Sequence, residues 1–192
     1  NAVKAVCDKR NVKYETFHSH YLWHPKDILK NDGSLYATGN NMYGQLGVGI
    51  ISKNNDLATF MPCGYVETPD SQTHTLFSSS NNPIERLATM SNDEGGFTNC
   101  IAINYNGEVF MCGSNRWYEC HPDPSYNKKY PEFAWFVKHP TLTNIQDIIS
   151  SGSDFDKSFL AQTRSGKLIG WGSNGVGQLG LPLRGTVKDT EW

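Results

Sequence analysis

The chain has 192 residues and a mass of 21.5 kDa, which suits one ordinary domain or part of a repeat array and excludes two large enzyme domains. Its 17 Lys and Arg residues against 19 Asp and Glu residues give a net charge of −2. Nucleic acid is therefore an unlikely partner on charge alone, because binding to phosphate backbones needs a basic surface. A hydrophobic fraction of 38% excludes a wholly disordered chain, and no apolar run has the roughly 18 residues of a membrane-spanning helix.

The cysteines indicate the redox environment. They are odd in number and irregularly spaced, and no secretory leader precedes them. They are Cys7, Cys63, Cys100, Cys112 and Cys120. We therefore expect reduced thiols and an intracellular protein, cytoplasmic or nuclear. Because the sequence begins with Asn and stops directly after a repeat-like segment, we also expect a piece of a longer protein.

Apolar runs recur along the chain in a fixed order. Apolar residues three apart open each of three segments, at residues 3–6, 84–87 and 145–148. A second apolar run follows at residues 28–29, 101–103 and 159–161, and each of these runs leads into a turn glycine and a third run. Short apolar runs bounded by glycine are typical of β-strands, so each segment is predicted to consist of strands joined by tight turns.

The three segments are copies of one another. Residues 32–47 align without gaps with residues 165–180, and residues 106–115 form a third copy. In each copy the second glycine stands six positions after the first, and an Asn stands two positions after the second glycine. The first glycines are Gly33, Gly107 and Gly166, the second are Gly39, Gly113 and Gly172, and the Asn residues are Asn41, Asn115 and Asn174. A hairpin turn needs the positive φ that glycine adopts freely, so each copy predicts a β-hairpin.

This repetition predicts an all-β fold, a single partial β-propeller over residues 1–192. Its units are expected at about residues 2–82, 83–143 and 144–192. Because the units differ in length, long inserted loops are predicted around residues 18–26, 51–82 and 120–138. Propeller blades suit such units, since each small sheet buries its faces only against its neighbours.

Two tetrapeptides make the pattern specific. Gly44-Gln45-Leu46-Gly47 and Gly177-Gln178-Leu179-Gly180 each follow a strand ending in Gly-x-Asn, and Trp171-Gly172 ends the third hairpin. In these features the chain resembles the RCC1 repeat family (regulator of chromosome condensation type). The second unit departs from the pattern, with Tyr118-Glu119-Cys120-His121 in place of the tetrapeptide, and the first has Ala37-Thr38-Gly39 where Trp-Gly is expected.

The resemblance implies about three RCC1-like blades, out of the roughly seven that close a ring in this family. Part of the ring is then missing, or the propeller is incomplete, divergent or assembled. We predict that the leucines of the tetrapeptides fill the gap between blades and that the glutamines satisfy backbone groups of the next blade. The residues assigned to the structural repeat are Gly33, Gly39, Gly44, Gln45, Leu46, Gly47, Gly107, Gly113, Gly166, Trp171, Gly172, Gly177, Gln178, Leu179 and Gly180.

No metal, cofactor or catalytic site is predicted. His18, His20 and His24 have a spacing that could bind zinc, but a polar loop is the favoured interpretation. A second candidate cluster consists of Cys112, Cys120 and His121, where Cys112 is better explained as a buried small side chain. The tetrapeptides lack the Lys and hydroxyl residue of a phosphate-binding loop. Asp154, Asp156 and Lys157 are interpreted as a solvated turn, and no catalytic motif is present.

Aromatic residues in a predicted loop give the clearest hint of function, since protein interfaces are enriched in Tyr, Trp and Arg. The candidate partner-binding residues are Arg116, Trp117, Tyr118, Tyr126 and Tyr130. The leading hypothesis is a non-enzymatic module that binds a protein partner or serves as a scaffold. The resemblance implies an alternative, guanine-nucleotide exchange on a small GTPase, although a His common in the family is replaced by Pro25, Asn99 and Ser158. A structural subunit of a large complex is the third hypothesis.

Overall fold

The computed structural model describes residues 26–91, 97–116, 118–151, 157–180 and 186–191. Within these ranges the protein consists of β-strands and one short helix, α1, at Pro124–Lys129. The strands are β1 Lys26–Leu29, β2 Leu35–Asn41, β3 Ser52–Pro62, β4 Gly64–Val66, β5 Thr75–Leu76, β6 Ile84–Ser91, β7 Phe97–Asn104, β8 Val109–Ser114, β9 Glu132–Lys138, β10 Ile145–Ser151, β11 Ser158–Thr163, β12 Leu168–Ser173 and β13 Thr186–Glu191. No helix in this part of the chain is long and apolar enough to cross a membrane.

The strands form three sheets, which we call blades 1, 2 and 3. Blade 1 has the order β1-β2-β3, and blade 3 has the order β10-β11-β12-β13. Blade 2 consists of the meander β6-β7-β8-β9, extended at its outer edge by β4 and β5. All neighbouring strands are antiparallel except β4 and β9, which are parallel. The predicted all-β partial propeller is confirmed, while the strand expected at residues 3–6 lies outside the described residues.

The three predicted hairpins are the centre of each blade. They are β1-β2, β7-β8 and β11-β12, each antiparallel and in continuous register. Their turn glycines Gly33, Gly107 and Gly166 have φ values of 79°, 75° and 87°. The second glycines Gly39, Gly113 and Gly172 also have positive φ, between 97° and 108°. The sequence copies therefore share one backbone conformation, in which glycine avoids the steric cost of the left-handed region.

Blade 2 lies between the other two and buries both of its faces. Side chains alternate across a strand, so each blade has a preceding face, directed towards the lower-numbered blade, and a following face, directed towards the next. At the blade 1–2 interface the core joins Leu29, Leu35, Ala37 and Leu46 to Leu87, Ala102, Phe110 and Phe136. At the blade 2–3 interface it joins Met90, Ile101, Val109 and Met111 to Ile145, Ile148, Phe159 and Trp171.

Two regions expected as inserted loops contain regular structure. Between residues 51 and 82, β3 pairs with β2 as a further strand of blade 1, and β4 and β5 extend blade 2. Between residues 120 and 138, α1 precedes β9, which pairs with β8. The aromatic run at residues 133–137 predicts an outer strand of its own blade, which β9 confirms. The other strands in these segments were not predicted, because polar and apolar residues alternate little there. The region expected at residues 18–26 lies almost wholly outside the described residues.

Candidate interaction surface

One Asn holds the loop that follows each hairpin. The Asn41 side-chain oxygen accepts a hydrogen bond from the Leu46 N–H at 3.1 Å, and Asn174 accepts from Leu179 N–H at 3.0 Å. In blade 2 the same contact joins Asn115 to Cys120 N–H at 3.1 Å. Because all three amides accept from the residue five positions later, the three loops are equivalent.

In blade 2, residues 118–121 therefore occupy the position that a Gly-Gln-Leu-Gly tetrapeptide has in blades 1 and 3. Tyr118 has φ 65°, close to the 79° of Gly44 and the 77° of Gly177. A positive φ is uncommon for a tyrosine and strains the backbone. Residues 118–121 thus correspond one by one to residues 44–47, so Glu119 occupies the position of Gln45.

Adjacent blades are joined by two repeated hydrogen bonds to main-chain carbonyls. In the first, the residue before the strand-ending glycine donates to the preceding blade. Cys112 Sγ donates to Gln45 O at 3.2 Å, and Trp171 Nε1 donates to Glu119 O at 3.0 Å. In the second, the hairpin glycine accepts from the first strand of the next blade. Ile84 N donates to Gly33 O and Ile145 N donates to Gly107 O, both at 2.9 Å.

The glutamine side chains of the tetrapeptides make hydrogen bonds within their own loops. The Gln45 amide closes its own loop, donating to Asn40 at 2.8 Å and accepting from Tyr43 N–H at 2.8 Å. Gln178 is exposed and accepts from Val176 N–H in its own loop at 3.1 Å. The repeated contact between blades is made by main-chain carbonyls, Gln45 O in blade 1 and Glu119 O in blade 2. Leu46 fills the expected space between blades 1 and 2, whereas Leu179 is buried but lines an open cleft on blade 3.

A buried ion pair crosses the blade 2–3 interface. Lys157 Nζ lies 3.2 Å from Glu119 Oε1, and the two side chains are 3% and 0% exposed. Ser114 Oγ donates to the same carboxylate oxygen at 3.0 Å, and Lys157 also donates to Asn99 Oδ1 at 3.4 Å. The interpretation of Lys157 as part of a solvated turn was wrong, because its side chain is buried. The sequence did not show this, since Glu119 stands 38 positions earlier in the chain. Asp154 and Asp156 lie outside the described residues.

Four of the five candidate partner-binding residues are described, and they lie around the loop and helix between β8 and β9. We call Arg116, Tyr118, Tyr126 and Tyr130 the loop–helix surface; Trp117 lies outside the described residues. Arg116 is exposed and the three tyrosines are partly exposed. The Tyr126 and Tyr130 rings are stacked with centroids 6.2 Å apart.

Asn115 ties this loop to the helix. Its side chain donates to Tyr130 O at 3.3 Å, and its carbonyl accepts from Asn127 on α1 at 2.5 Å. Asp123 caps α1 by accepting from Ser125 N–H at 2.8 Å. The loop and the helix therefore form one supported unit, on which the aromatic rings are held.

Charged groups flank the aromatic rings on both sides. Arg116 pairs with Glu132 at 2.9 Å and lies over the Tyr43 ring, 5.7 Å from its centroid. On the other side, Asp70 pairs with Lys129 and accepts from the Tyr130 hydroxyl at 2.9 Å. The hydrogen bonds from Lys129 and Tyr130 lower the pKa of Asp70, which keeps it a carboxylate at neutral pH.

The candidate metal ligands in the described residues are not brought together. Cys112 belongs to the core of the blade 1–2 interface, whereas Cys120 belongs to that of the blade 2–3 interface. Where the structure describes the chain, no group of three His, Cys, Asp or Glu side chains is arranged to hold a metal ion. The other candidates, His18, His20 and His24, lie outside the described residues.

A carboxyl group that the sequence analysis missed lies among three thiols at the blade 1–2 interface. Cys63, Cys100 and Cys112 are buried free thiols, and Cys100 Sγ lies 3.9 Å from Asp27 Oδ2. Desolvation raises the pKa of Asp27 to about 7, although the bond from Cys100 opposes the shift. Burial also raises the pKa values of the thiols, so they remain protonated and unreactive.

No protein-family model matches the sequence. Among solved structures, the chain is similar to Prp20p from Saccharomyces cerevisiae, with a TM-score of 0.67 and 18% identity over 94% of this chain and 38% of Prp20p. Yeast RCC1 (Prp20) in its complex with Kap60 gives a TM-score of 0.64 and 18% identity, over 92% of this chain and 36% of that one. Human WBSCR16 gives a TM-score of 0.54 and 14% identity, over 78% of this chain and 31% of that one.

These similarities concern the fold. The chain spans between 31% and 38% of the length of these proteins. The chain is an RCC1-like partial β-propeller.

Proposed function

We propose that this chain is a non-enzymatic module that binds a protein partner through its loop–helix surface. The observation that carries the proposal is the support given to the exposed rings by buried Asn115, whose amide ties the loop to α1. Aromatic and Arg side chains on a preorganised surface are typical binding anchors, because little conformational entropy is lost when they bind. The flanking Asp70–Lys129 and Arg116–Glu132 pairs would supply the polar rim.

Tyr118→Gly with Tyr126→Ala tests the proposal. The first change removes a ring at φ 65°, where glycine is free of strain, and the second removes a partly exposed ring from α1. We expect this double variant to keep the thermal stability of the parent. Its affinity for a partner should be at least about tenfold weaker, because removing one or two anchor residues costs that much binding free energy. Affinity purification followed by titration of each recovered protein measures this.

Tyr105→Ala is the matched control, because Tyr105 is an exposed aromatic residue (48%) at the β7–β8 turn of the same blade. Partners that lose affinity for the double variant but keep it for the control support the proposed surface. Unchanged affinity of every recovered protein for the double variant would exclude it.

Guanine-nucleotide exchange on a small GTPase is the second candidate. It rests on the family resemblance and on the similarity to Prp20p, whose structure was described with its binding to Gsp1p and histones. A propeller can promote exchange without covalent chemistry, by binding the nucleotide-free GTPase more tightly than the loaded one. Release of labelled GDP from a panel of small GTPases tests it, and no acceleration by excess chain would contradict it.

A structural role inside a larger assembly is the third candidate. The apolar following face of blade 3 supports it, because Ile149 is 64% exposed there. Size-exclusion chromatography of the chain separates this role from the others, since a compact monomer would contradict obligate assembly. For all three candidates, a cytoplasmic or nuclear location remains a prediction, and tagged full-length protein in cells would test it.

A further inference from the structure

Four polar side chains meet inside the blade 2–3 interface. They are Thr98 and Asn99 on β7, Glu119 in the loop after β8, and Lys157 directly before β11. All four are buried, at 4% exposure or less. Lys157 Nζ lies 3.4 Å from Asn99 Oδ1 and 3.2 Å from Glu119 Oε1. An amine, an amide and a carboxyl group are thus held together away from water.

This cluster is not a feature of the repeat. At the blade 1–2 interface the positions of Asn99, Glu119 and Lys157 hold Pro25, Gln45 and Thr98. Thr98 matches Lys157 because each stands directly before the residue that pairs with the second glycine of its unit. Blades can therefore stack without an amine or a carboxyl group at these positions. Buried ionisable groups that the fold does not need indicate a chemical role.

Hydrogen bonds hold both ends of the Asn99 amide. Thr98 Oγ1 donates to its oxygen at 3.2 Å, and its nitrogen donates to Ser114 O at 2.7 Å. The carbonyl carbon lies one bond from the oxygen that Lys157 approaches. A donor on the oxygen stabilises the negative charge that develops when a nucleophile adds to this carbon. The acceptor at the nitrogen holds the group that would leave.

The amine and the carboxyl group are also fixed in place. Lys157 O accepts from Ser173 N–H at 2.6 Å, and Glu119 O accepts from Trp171 Nε1 at 3.0 Å. Ser114 Oγ donates at 3.0 Å to Glu119 Oε1, the same oxygen that faces Lys157. Groups that are held about 3–3.5 Å apart react far faster than the same groups free in solution.

Glu119 can activate Lys157 as a nucleophile. An ammonium group has no lone pair, so Lys157 must lose a proton before it can attack the amide. Transfer of this proton to Glu119, 3.2 Å away, leaves a neutral amine and a neutral carboxylic acid, which a buried site accommodates without the cost of burying charge. The acid can then pass its proton to the departing nitrogen and take the second proton of the amine.

We propose that Lys157 and Asn99 form an intramolecular isopeptide bond, with Glu119 as the general acid and base. A bond forms between Lys157 Nζ and Asn99 Cγ, and the bond between Asn99 Cγ and Nδ2 breaks. Of the two protons that Nζ loses, one goes to Nδ2, which leaves as ammonia, and the other stays on Glu119. The reaction needs no oxidant or reductant.

The bond joins blade 2 covalently to blade 3. Its two residues stand 58 positions apart, so it closes a long loop and restricts the unfolded chain, as a disulfide does. The reaction occurs once within the chain and does not make it an enzyme. It is separate from partner binding by the loop–helix surface and does not depend on it.

Trypsin digestion of the purified, then denatured, chain tests the bond, because trypsin does not cleave after an acylated lysine. We expect residues 87–116 and 139–164 as one linked species, about 17 Da lighter than the two peptides together because ammonia is lost. Tandem mass spectrometry should place the link between Asn99 and Lys157. Complete release of residues 139–157 and 158–164, with residues 87–116 unmodified and unlinked, would overturn the proposal.

Variants separate the chemistry from mere contact, with circular dichroism to confirm folding. Each chain is made by cell-free synthesis and digested at intervals. Glu119→Gln removes the proton acceptor and Thr98→Val removes the donor to the amide oxygen, and each should slow linkage at least about tenfold. Thr163→Val, at the far end of β11, is the matched control and should link at the parental rate. Linkage of Glu119→Gln at the parental rate would overturn the role of Glu119.

Discussion

The blade 1–2 and blade 2–3 interfaces occupy the same positions of the repeat but differ in chemistry. At the blade 1–2 interface a thiol, Cys112, makes the contact to the preceding carbonyl, and a carboxyl with a raised pKa lies among buried thiols. At the blade 2–3 interface Trp171 makes that contact, beside the buried Glu119–Lys157 pair. The backbone geometry of the repeat is therefore held by main-chain contacts and turn glycines, while the side chains between blades can change.

The largest expected effect is at Trp171. Its side chain is fully buried and stacks on Phe159 with ring centroids 5.0 Å apart. Trp171→Ala should cost about 3–5 kcal/mol in the free energy of unfolding, through lost burial and the cavity that remains. The corresponding change at the other interface, Cys112→Ala, removes one sulfur and should cost about 1 kcal/mol. Urea unfolding of both variants measures the difference, and equal losses would contradict the unequal roles of the two positions.

The buried ion pair gives the next largest effect. Lys157→Met leaves the Glu119 carboxylate buried without its cation and should cost about 3 kcal/mol. Adding Glu119→Gln makes this position resemble Gln45 and removes the unpaired charge. We expect the double variant to regain stability to within about 1 kcal/mol of the parent, because a neutral buried pair avoids the desolvation penalty. A double-mutant cycle by urea unfolding measures the coupling, and purely additive losses would show that the pair is not coupled.

A feature could be predicted from the sequence when it depends on residues close together in the chain, and not when it depends on residues far apart. The hairpins were predictable because the φ of Gly33, Gly107 and Gly166 is a local requirement, readable from three aligned dipeptides. The Glu119–Lys157 pair was not, since it depends on how two blades meet. The equivalence of Cys120 with Leu46 could have been found, because each stands five positions after the Asn of its unit.

The loop–helix surface shows the same limit. The sequence pointed to its aromatic residues but not to their support, because Asn115 looks like any other repeat Asn. Its second task, holding α1 through Tyr130 and Asn127, depends on a helix that has no counterpart in the other units. The neighbouring Tyr43 was missed because it comes from blade 1.

Turn glycines provide a smaller, paired test of blade contact. Gly33→Ala and Gly166→Ala both place a Cβ at positive φ, which costs about 1 kcal/mol. At Gly33 the Cβ also meets Pro83 and the Ile84 backbone within 2.8 Å, so the total should reach about 2–3 kcal/mol. At Gly166 we expect the φ cost alone. Urea unfolding of the two variants measures both losses, and equal losses would mean that the β6 strand moves away from Gly33 at little cost.

The last effect is the pH dependence of the blade 1–2 interface, set by Asp27. Burial raises its pKa from 3.8 to about 7 in the folded chain, so the folded state holds a proton that the unfolded state has lost over this range. Stability therefore falls as pH rises from about 4 to about 7. Asp27→Asn removes this loss and should stabilise the chain by about 1–2 kcal/mol at pH 8, less than the full shift implies because Asp27 is partly exposed. Near pH 4 we expect little difference from the parent.

The blade 2–3 interface supplies the opposite pH dependence as a control. Burial lowers the pKa of His139, which lies beside Trp171, from 6.5 to about 3. The unfolded state then binds a proton that the folded state does not, so stability falls as pH drops below about 6.5. Asp27→Asn should leave this acid-side loss in place while flattening the neutral side of the profile. Unfolding midpoints between pH 4 and pH 8 measure both, and a profile unchanged by Asp27→Asn would mean that Asp27 is ionised in the folded chain at neutral pH, with the blade 1–2 interface open enough to hydrate it.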